Sequence, residues 1–544
     1  MVYTSTKSSL PDVGVPLQDL PSFFFDRVRQ NPAFTGPQAR PLFTDADDSS
    51  LALTLDEIEA LTSKLASGLY HNAGVRPGDM VAIIMPNSVY YVPVVLAALT
   101  LGATCTLANP SYTPRELAHQ LSDSRASLAI TVTSLHSLVV DAAEANADQC
   151  CSVVLADGYP TSAELPAPEA RSIFDMLSDR GFPRFFVNSS RQDLQTALAF
   201  VPYSSGTTGL PKGVMLSHYN IIANILQVAS VHQTNAPHPT CVAVLPMFHI
   251  FGLLFLCFAM PVTGVSTVVM RKFGMPQFLS LVAEYKVTEV MLVPPIVNAL
   301  AKMPAEQRNT SLQSLRWLVV GAAPLSTETI SCLETSMPQL TILQGYGMSE
   351  ACPTISLNPP AARNSASVGR LVANIEAKVI DDLGRTLGSG EIGELCFRGP
   401  NIMMGYLNNP DATKSTIDVD GFLLTGDIGY IDENQFVFVT DRKKELIKFN
   451  GFQVAPAELE GILMQHPHVR DCAVKGVYDQ ERQTEVPRAY LVLSDNVSDN
   501  LTAQAVVKWM DEKVSYYKKL RGGYVLVPAI PRNASGKILR RLLE

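Results

Sequence analysis

The stretch Tyr203-Ser204-Ser205-Gly206-Thr207-Thr208-Gly209-Leu210-Pro211-Lys212-Gly213 combines glycines, hydroxyl side chains and a lysine in one short segment. Glycines have no Cβ and let backbone N–H groups approach an anion, while hydroxyls and an ammonium add further donors. The apolar runs 197–201 and 214–217 on either side predict two buried strands. The stretch therefore predicts a phosphate-binding loop between strands, formed by Ser204, Ser205, Gly206, Thr207, Thr208, Gly209 and Lys212.

This loop differs from the Walker loop of many nucleotide-binding proteins. The spacing G-x-x-x-x-G-K-[ST] is absent, because Leu210 and Pro211 separate Gly209 from Lys212 and a glycine follows the lysine. A Ser/Thr/Gly-rich stretch on its own is more often a surface turn. The interpretation as a phosphate loop therefore depends on the flanking strands and on motifs elsewhere in the chain.

Length and composition favour a soluble enzyme with more than one domain. A chain of 544 residues exceeds what one hydrophobic core usually supports. Its 47% hydrophobic and 17% charged residues exclude a disordered protein. The net charge of −9, without basic runs that carry aromatic residues, argues against a nucleic-acid partner. Nine irregularly spaced cysteines indicate neither a zinc site nor a disulfide framework.

Two uncharged runs, 89–108 and 251–270, are long enough to raise the question of a membrane span. A proline and a glycine interrupt each of them. Each run is therefore predicted to form a buried helix, a short turn and a buried strand, and no transmembrane segment is expected.

The chain ends favour a cytoplasmic location. Residues 1–7 lack the apolar core of a signal peptide, and Val2 stands where myristoylation requires glycine. Residues 542–544 differ from a peroxisomal S-K-L-type signal. A peroxisomal location stays open if the C-terminus has been trimmed.

Strand-like and helix-like segments alternate along most of the chain, which predicts an α/β fold of parallel-type sheets covered by helices. The predicted strands lie at 80–85, 128–132, 153–155, 197–201, 242–245, 289–293 and 317–320. From about residue 369 the pattern changes to short alternating strands, and the last hundred residues again mix strands with helices at 458–465 and 503–514.

Five further motifs follow the loop in order along the chain. They are Gly345-Tyr346-Gly347-Met348-Ser349-Glu350, Gly393-Glu394-Leu395-Cys396-Phe397-Arg398-Gly399, Thr425-Gly426-Asp427, Asp441-Arg442-Lys443-Lys444-Glu445-Leu446-Ile447-Lys448 and Ser535-Gly536-Lys537. Together with the loop they resemble the signatures of the adenylate-forming enzymes. That family includes acyl-CoA synthetases, 4-coumarate–CoA ligases, beetle luciferases and the adenylation domains of peptide synthetases.

The resemblance implies a domain arrangement and a set of ligands. A large N-terminal domain would span residues 1–441, with a small β-barrel-like part at about 369–441. A small, mobile α+β domain would span residues 442–544 and swing about a hinge near Lys444. The implied ligands are ATP, Mg²⁺, CoA and a small carboxylic acid.

The family motifs also imply a nucleotide site. Tyr346, between Gly345 and Gly347, resembles the tyrosine that lies against adenine, and the backbone of Gly321, Ala322 and Ala323 would form the opposite wall. Glu350 resembles the Mg²⁺ ligand, since a hard cation prefers oxygen. Ser349 replaces the usual threonine but keeps the hydroxyl.

Further charged residues match family positions that act on the ribose, the phosphates and the reacting groups. Asp427 should accept hydrogen bonds from the ribose hydroxyls, and Arg442 should donate near the ribose and phosphate. Lys537 resembles the lysine that bridges the carboxylate and the α-phosphate during adenylation. Lys444 and Lys448 lie in the segment that serves the thioester-forming half.

Each of these residues also has an ordinary structural interpretation. Singly, Lys537 would be a solvated charge, Tyr346 a core aromatic and Asp427 a turn residue. Their order and spacing favour the functional interpretation. For His249 two interpretations stay open, as a satisfied core histidine and as an aromatic gate between acyl pocket and nucleotide.

Resemblance to coumarate ligases predicts an acyl pocket, lined by Ile250, Phe251, Leu254, Leu292, Val319, Gly321, Gly345, Pro353, Thr354 and Ile355. Plant coumarate ligases usually carry tyrosine at the position of Phe251 and lysine at that of Val319. An unpaired hydroxyl in a dry pocket costs about 1–3 kcal/mol. The expected substrate is therefore an aryl or medium-chain fatty acid more apolar than coumarate.

Three alternatives accompany the acid–CoA ligase hypothesis. A luciferase-type oxygenase shares all of these motifs. A stand-alone adenylation enzyme also shares them, although a peptide-synthetase unit normally precedes a carrier domain. A noncatalytic nucleotide-binding protein is the alternative from another class, and intact Lys212, Glu350 and Lys537 argue against it.

Overall fold

The computed structural model describes residues 2–4, 12–145, 151–157, 171–185, 191–204, 211–232, 236–450, 452–494, 500–534 and 536–544. Its α-helices are α1 Leu20–Arg29, α2 Leu55–Asn72, α3 Tyr91–Thr100, α4 Pro114–Ser124, α5 His136–Glu144, α6 Arg191–Thr196, α7 His218–Val231, α8 Ile250–Gly252, α9 Met260–Val262, α10 Met275–Glu284, α11 Pro294–Lys302, α12 Ala305–Ser311, α13 Thr327–Ser336, α14 Pro410–Thr416, α15 Pro456–Leu463 and α16 Asn500–Asp511. A π-helical segment, Leu253–Ala259, joins α8 to α9.

The strands of the first half of the chain are β1 Tyr3–Thr4, β2 Phe43–Asp45, β3 Ala52–Leu53, β4 Met80–Ile84, β5 Thr104–Leu107, β6 Leu128–Thr131, β7 Ser152–Leu155, β8 Arg171–Ser172, β9 Leu198–Phe200, β10 Tyr203–Ser204, β11 Lys212–Ser217, β12 Thr240–Ala243 and β13 Ser266–Val269. Those of the second half are β14 Glu289–Leu292, β15 Trp317–Val320, β16 Thr341–Gly347, β17 Thr354–Leu357, β18 Arg370–Leu371, β19 Glu376–Ile380, β20 Gly393–Arg398, β21 Gly405–Tyr406, β22 Leu423–Ile431, β23 Val437–Arg442, β24 Ile447–Phe449, β25 Phe452–Val454, β26 Val469–Asp479, β27 Thr484–Leu493 and β28 Tyr524–Leu526.

Two large sheets form the N-terminal part of the molecule. One has the strand order β10-β11-β9-β5-β4-β6-β7-β8, with β21 paired to β11, and the other has the order β18-β17-β16-β15-β14-β12-β13-β2-β3. Pairing is parallel through the middle of both sheets and antiparallel at β10–β11 and at β16–β17–β18. Parallel strands need covering on both faces, which explains their near-continuous apolar sequences.

Helix α7 packs in the core shared by the two sheets. Ser217 ends β11 and caps the helix, because its hydroxyl accepts from the Asn220 N–H over 3.2 Å. Inside the helix, the Asn224 side chain donates to the Thr354 carbonyl over 2.9 Å and accepts from the Thr354 N–H over 3.0 Å. These buried polar contacts fix α7 against β17, where the predicted acyl pocket lies.

The change to short alternating strands predicted near residue 369 corresponds to a third sheet. Strands β1, β19, β20, β22 and β23 pair in an antiparallel sheet that curls into a half-barrel. The C-terminal segment folds around β26, β27 and β28, against which α15 and α16 pack. The expected α/β fold is therefore confirmed.

The two uncharged runs of the sequence fold as predicted. The first contains α3 and β5, and the second contains α8, α9 and β13. No helix among the described residues is both long enough and apolar enough to cross a bilayer. The strand predicted at 242–245 lies two residues earlier, at β12.

Candidate active site

The two ends of the predicted phosphate loop lie beside the carboxylate of Glu350. Ser204 on β10 pairs with Lys212 on β11, so the loop ends are side by side. The hydroxyls of Ser204 and Tyr406 both donate to Glu350 Oε1, over 3.1 and 2.9 Å. The Lys212 ammonium lies 4.9 Å from the Tyr406 ring centroid. The other predicted loop residues lie outside the described residues: Ser205, Gly206, Thr207, Thr208 and Gly209.

Glu350 presents the kind of ligand that Mg²⁺ accepts. It lies in the helical turn Ser349–Ala351, with its side chain buried and its carbonyl accepting from the Met403 N–H over 2.9 Å. No group of three or more His, Cys, Asp or Glu side chains suited to a metal occurs in the described part of the chain. A single carboxylate fits Mg²⁺ nevertheless, because in nucleotide sites waters and phosphates supply its other ligands.

Tyr346, Asp427 and Arg442 converge in a second group of side chains. Asp427 and Arg442 are register partners on β22 and β23, and Arg442 Nε lies 3.4 Å from Asp427 Oδ1. The Tyr346 hydroxyl donates to Asp427 Oδ2 over 2.5 Å. Burial raises the pKa of the Asp427 carboxyl, although neighbouring cations and the tyrosine favour its charged form. The site thus holds a buried carboxylate able to accept from paired hydroxyls.

Small residues keep the walls of this site close together. A Cβ at Gly347 would lie 1.9 Å from the Pro353 carbonyl oxygen, and one at Gly321 would lie 3.2 Å from Phe251 Cε1. Ala322 has a φ of 72°, in the left-handed region that few side chains adopt. Two further residues predicted at this site are Ala323, which follows β15, and Gly345, which lies within β16.

Lys537 approaches Asp427 from the C-terminal segment. Its backbone N–H donates to Asn533 Oδ1 over 2.8 Å, and Gly536 lies against Val293 of the large domain. Burial lowers the pKa of Lys537 to about 8; the charge of Arg442 adds to this effect and the carboxylate of Asp427 opposes it. The Lys537 ammonium is therefore within electrostatic range of the Asp427 carboxylate and the Arg442 guanidinium.

Arg540 anchors the segment that carries Lys537. Its guanidinium donates to Glu445, to Glu460 Oε1 over 2.6 Å and to the Val474 carbonyl over 2.9 Å. Burial raises the pKa of the Glu460 carboxyl to about 7. One side chain therefore joins the residues after Lys537 to the linker after Arg442, to α15 and to β26.

His249 lies at the start of the helical stretch that carries part of the predicted acyl pocket. Its Nδ1 accepts from the Phe251 N–H over 3.3 Å, and burial lowers its pKa to about 4. The imidazole is therefore neutral at physiological pH. The Phe251 ring lies 5.0 Å from the Phe255 ring in an edge-to-face contact, and both Ile250 and Leu254 are buried beside them.

A narrow cavity runs along the sheet behind these rings. Met291, Val319 and Leu343 are register neighbours on β14, β15 and β16, and all three line it. Leu292 belongs instead to the hydrophobic cluster on the other face of this sheet, because side chains alternate along a strand. The structure thus places Val319, but not Leu292, at the cavity. Pro353, Thr354 and Ile355 are buried at β17.

Lys444 and Lys448 are exposed, whereas Asp427 is buried. Lys448 stands in the middle of β24, where its backbone N–H donates to Glu485 Oε2 over 2.8 Å. The arrangement seen here therefore brings Lys537, and neither of these lysines, to the site.

Several site residues were missed by the sequence analysis. Tyr406 reaches Glu350 only because β21 pairs with β11, and that pairing joins segments almost two hundred residues apart. Arg540 looks like one of a pair of terminal charges, and Glu445 and Glu460 look like surface acids. None of them has a local signal that would distinguish it.

Comparison with known proteins identifies the family. Residues 30–407 match the AMP-binding enzyme family, and residues 458–537 match the AMP-binding enzyme C-terminal domain. The chain belongs to the AMP-binding enzyme family. This confirms the resemblance predicted from the six motifs, and identifies an enzyme of the AMP-forming acid–CoA ligase type.

Relatives within the AMP-binding family cover nearly the whole chain. A protein named probable 4-coumarate–CoA ligase 1 from Dictyostelium discoideum is 38% identical, over 99% of this chain and 97% of its own length. A protein named 4-coumarate–CoA ligase 2 from Nicotiana tabacum is 37% identical, over 99% of this chain and 96% of its own length.

Solved structures of the same family agree with the fold. ATP-bound MatB from Rhodopseudomonas palustris has a TM-score of 0.79 at 26% identity, covering 96% of this chain and 97% of that one. The o-succinylbenzoate CoA synthetase MenE from Bacillus subtilis, solved with ATP and magnesium ion, has a TM-score of 0.76 at 26% identity, covering 96% and 98%.

Proposed function

We propose that this protein converts a carboxylic acid, ATP and CoA into an acyl-CoA thioester, AMP and pyrophosphate. The acid is an apolar aryl acid or a medium-chain fatty acid. The observation that carries the proposal is the group of Tyr346, Asp427 and Arg442, and the C-terminal segment brings Lys537 within electrostatic range of it. The names of the coumarate ligase relatives and the ATP complexes of MatB and MenE support the same reaction class.

In the first half-reaction a carboxylate oxygen attacks the α-phosphorus and pyrophosphate leaves. The Lys537 ammonium neutralises the repulsion between the two anions, as preorganised charge does in a site that excludes water. Asp427 accepts from the ribose hydroxyls, and Tyr346 lies against the adenine. Lys212 holds the outer phosphates, which become the leaving group.

Glu350 is the residue that would hold Mg²⁺ in this site. The ion would screen the charge of the leaving pyrophosphate. Ser204 and Tyr406 orient the carboxylate by donating to its Oε1 atom. Glu350 would then supply a carboxylate oxygen ligand to the cation.

In the second half-reaction the CoA sulfur attacks the acyl carbonyl and AMP leaves. We assign Lys448 to this half, with a domain boundary after residue 441 and a hinge at Lys444. A rotation would exchange the Lys537 face of the small domain for the Lys448 face. His249, neutral because burial lowers its pKa to about 4, would gate the passage between acyl pocket and nucleotide.

The proposed acid follows from the apolar side chains at and beside the cavity, Val319 and Phe255 in its lining and Phe251 packed against Phe255. Phe251 and Val319 offer no partner for a ring hydroxyl, and Phe255 closes the wall with an edge-to-face contact. A hydroxyl placed there loses its hydrogen bonds to water without replacement, at a cost of about 1–3 kcal/mol. An acid whose body is apolar avoids that cost.

Product analysis with a broad panel of acids tests the reaction class. We expect AMP and pyrophosphate in equal amounts to the acyl-CoA, and ADP with orthophosphate would contradict the proposal. The variant Lys537→Ala should lose this activity. Lys508→Ala, which removes an exposed lysine on α16 of the same domain, is the matched control and should keep it.

A further inference from the structure

The cavity behind Val319 ends at a pair of polar side chains. Its lining is apolar at Met291 and Leu343, but its far end is formed by Glu289 and His232 together with Trp317. His232 Nε2 is hydrogen-bonded to Glu289 Oε2. A buried carboxylate–imidazole pair at the end of an otherwise apolar cavity needs an explanation, since burying polar groups is costly.

The second oxygen of this carboxylate is unused. The Glu289 side chain is only 3% exposed, and its Oε1 atom is buried without a hydrogen-bond partner among the described residues. A buried carboxylate oxygen without a partner is unfavourable, and most buried polar atoms in proteins are paired. The atom therefore marks a place where a hydrogen-bond donor is missing.

Strand geometry places this oxygen deeper than the predicted pocket residues. Glu289 and Trp317 are register partners, Val319 is two residues nearer the nucleotide site, and Gly321 is four residues nearer. At about 3.3 Å per strand residue, the pair lies roughly 7 Å beyond Val319 and roughly 13 Å beyond Gly321. The side chains of Glu289, Trp317 and Val319 all line the cavity on one face of the sheet.

We infer that Glu289 and His232 form a specificity subsite for a hydrogen-bond donor, a hydroxyl or an amino group, at the end of the acid remote from its carboxyl. This inference rests on the proposed function and refines it. The substrate has an apolar body that passes Phe251 and Val319, and a polar tip that reaches Glu289 Oε1. A ring hydroxyl on a short phenylpropenoic acid stops at the Val319 level and gains nothing.

Positional isomers of one acid test the subsite directly. In assays of pyrophosphate release, straight-chain acids from hexanoate to dodecanoate are compared as methyl-ended, terminally hydroxylated, terminally aminated and mid-chain hydroxylated forms. At the length that reaches Glu289, a terminal donor should raise kcat/KM over the methyl-ended acid by about tenfold to a hundredfold. A mid-chain hydroxyl should lower it. Comparison of the terminally hydroxylated with the terminally aminated acids shows which donor the Glu289–His232 pair binds.

Two variants separate recognition from folding. Glu289→Leu should remove the preference for a terminal donor while keeping turnover of the methyl-ended acid. Because this change leaves His232 unpaired, the double variant H232L/E289L replaces the whole pair with apolar residues, which is often neutral or stabilising. The control Glu284→Gln alters an exposed acid on α10 and should keep the preference.

The outcomes separate the subsite from the reaction class. Preference for the methyl-ended acid at every length, or an unchanged preference in the double variant, would overturn the subsite and leave the ligase function standing. Absence of pyrophosphate release with every acid would overturn both. A terminal-donor preference that disappears in both Glu289 variants, with turnover of methyl-ended acids retained, supports the subsite.

Discussion

The ammonium of Lys537 occupies surroundings that work against its charge. Burial and the neighbouring Arg442 lower its pKa to about 8, while Glu445 and Asp427 partly oppose them. A lysine with an unperturbed pKa would stay charged throughout the physiological range. With the role proposed for Lys537, its charge is lost as the pH rises through about 8, so we expect the first half-reaction to depend on pH.

We therefore predict that kcat/KM for acyl-adenylate formation falls as the pH rises through about 8. The sign follows because deprotonation removes the charge that neutralises the two anions, and kcat/KM reports the free enzyme. Lys537→Arg should abolish this alkaline decline, since a guanidinium stays protonated. A decline near the same pH in the arginine variant would mean that another group titrates.

We also predict that Phe251 and Val319 lower kcat/KM for acids that carry a ring hydroxyl. Cinnamate should show a kcat/KM about tenfold or more above that of coumarate, because the coumarate hydroxyl would find no partner among these apolar side chains. Phe251→Tyr should narrow the ratio by supplying a phenol. The reverse order of the two acids in the unmodified enzyme would contradict the pocket argument.

At the level of elements, the position of the segment that carries Lys537 depends on Arg540. Its guanidinium contacts Glu445 and Glu460, and the pKa of Glu460 is already raised to about 7 by burial. Removing the cation would leave two poorly solvated carboxylates near the active lysine. The segment that carries Lys537 is therefore held by an ion-pair network together with the apolar packing of Ile530, Ile538 and Leu543.

Arg540→Ala should destabilise the C-terminal domain by about 3–5 kcal/mol, because it leaves buried charge uncompensated. It should also slow adenylation more than thioester formation from supplied adenylate, since only the first half needs Lys537. Thermal unfolding and separate half-reaction assays measure the two effects. Arg541→Ala, which removes an exposed arginine, is the control, and an equal loss in that variant would contradict the role of Arg540.

Element type was predictable from the sequence where the apolar pattern was long and interrupted by proline and glycine. The run 89–108 gave α3 and β5 as expected. Side-chain direction was harder to predict, because a shift of one residue along a strand changes the face. Leu292, which resemblance to coumarate ligases places in the acyl pocket, packs in the cluster on one face of the sheet, whereas Met291 lines the cavity on the other.

Contacts between distant segments were the part of the site that the sequence could not supply. Tyr406 and Glu350 meet through the pairing of β21 with β11, and the Glu289–His232 pair forms where α7 ends above β14. Neither pairing has a local signal, since each depends on how the sheets pack. The family motifs located the nucleotide residues because their order along the chain carries that information.

In the molecule as a whole, a few polar contacts hold the small domain in the position seen here. Lys302 Nζ donates to the Val469 carbonyl over 2.6 Å, and the Ala457 N–H donates to Asp441 Oδ2 over 3.0 Å. Both contacts cross the proposed boundary after residue 441. They would have to break for Lys448 to replace Lys537 by a rotation of the small domain.

Substitution of Lys537 and substitution of Lys448 should have opposite effects on the two half-reactions. Lys537→Ala should slow acyl-adenylate formation by about a hundredfold or more, since it removes the charge at the reacting atoms. Thioester formation from supplied acyl-adenylate should survive. Lys448→Ala should show the reverse, because its face is needed only after rotation. Pre-steady-state assays of each half-reaction measure both, with Lys508→Ala as the exposed control.

The hinge itself gives the last prediction. Proline at position 444 fixes φ and removes a backbone donor, so Lys444→Pro should hold the small domain in the adenylating position seen here. Adenylation should continue while thioester formation slows. Lys444→Ala keeps the flexible backbone and should leave both halves near normal, which separates rotation from side-chain loss. The rotation would be contradicted if Lys444→Pro slowed both half-reactions equally, or if Lys537→Ala and Lys448→Ala each did so. These residues would then support folding or general phosphate binding.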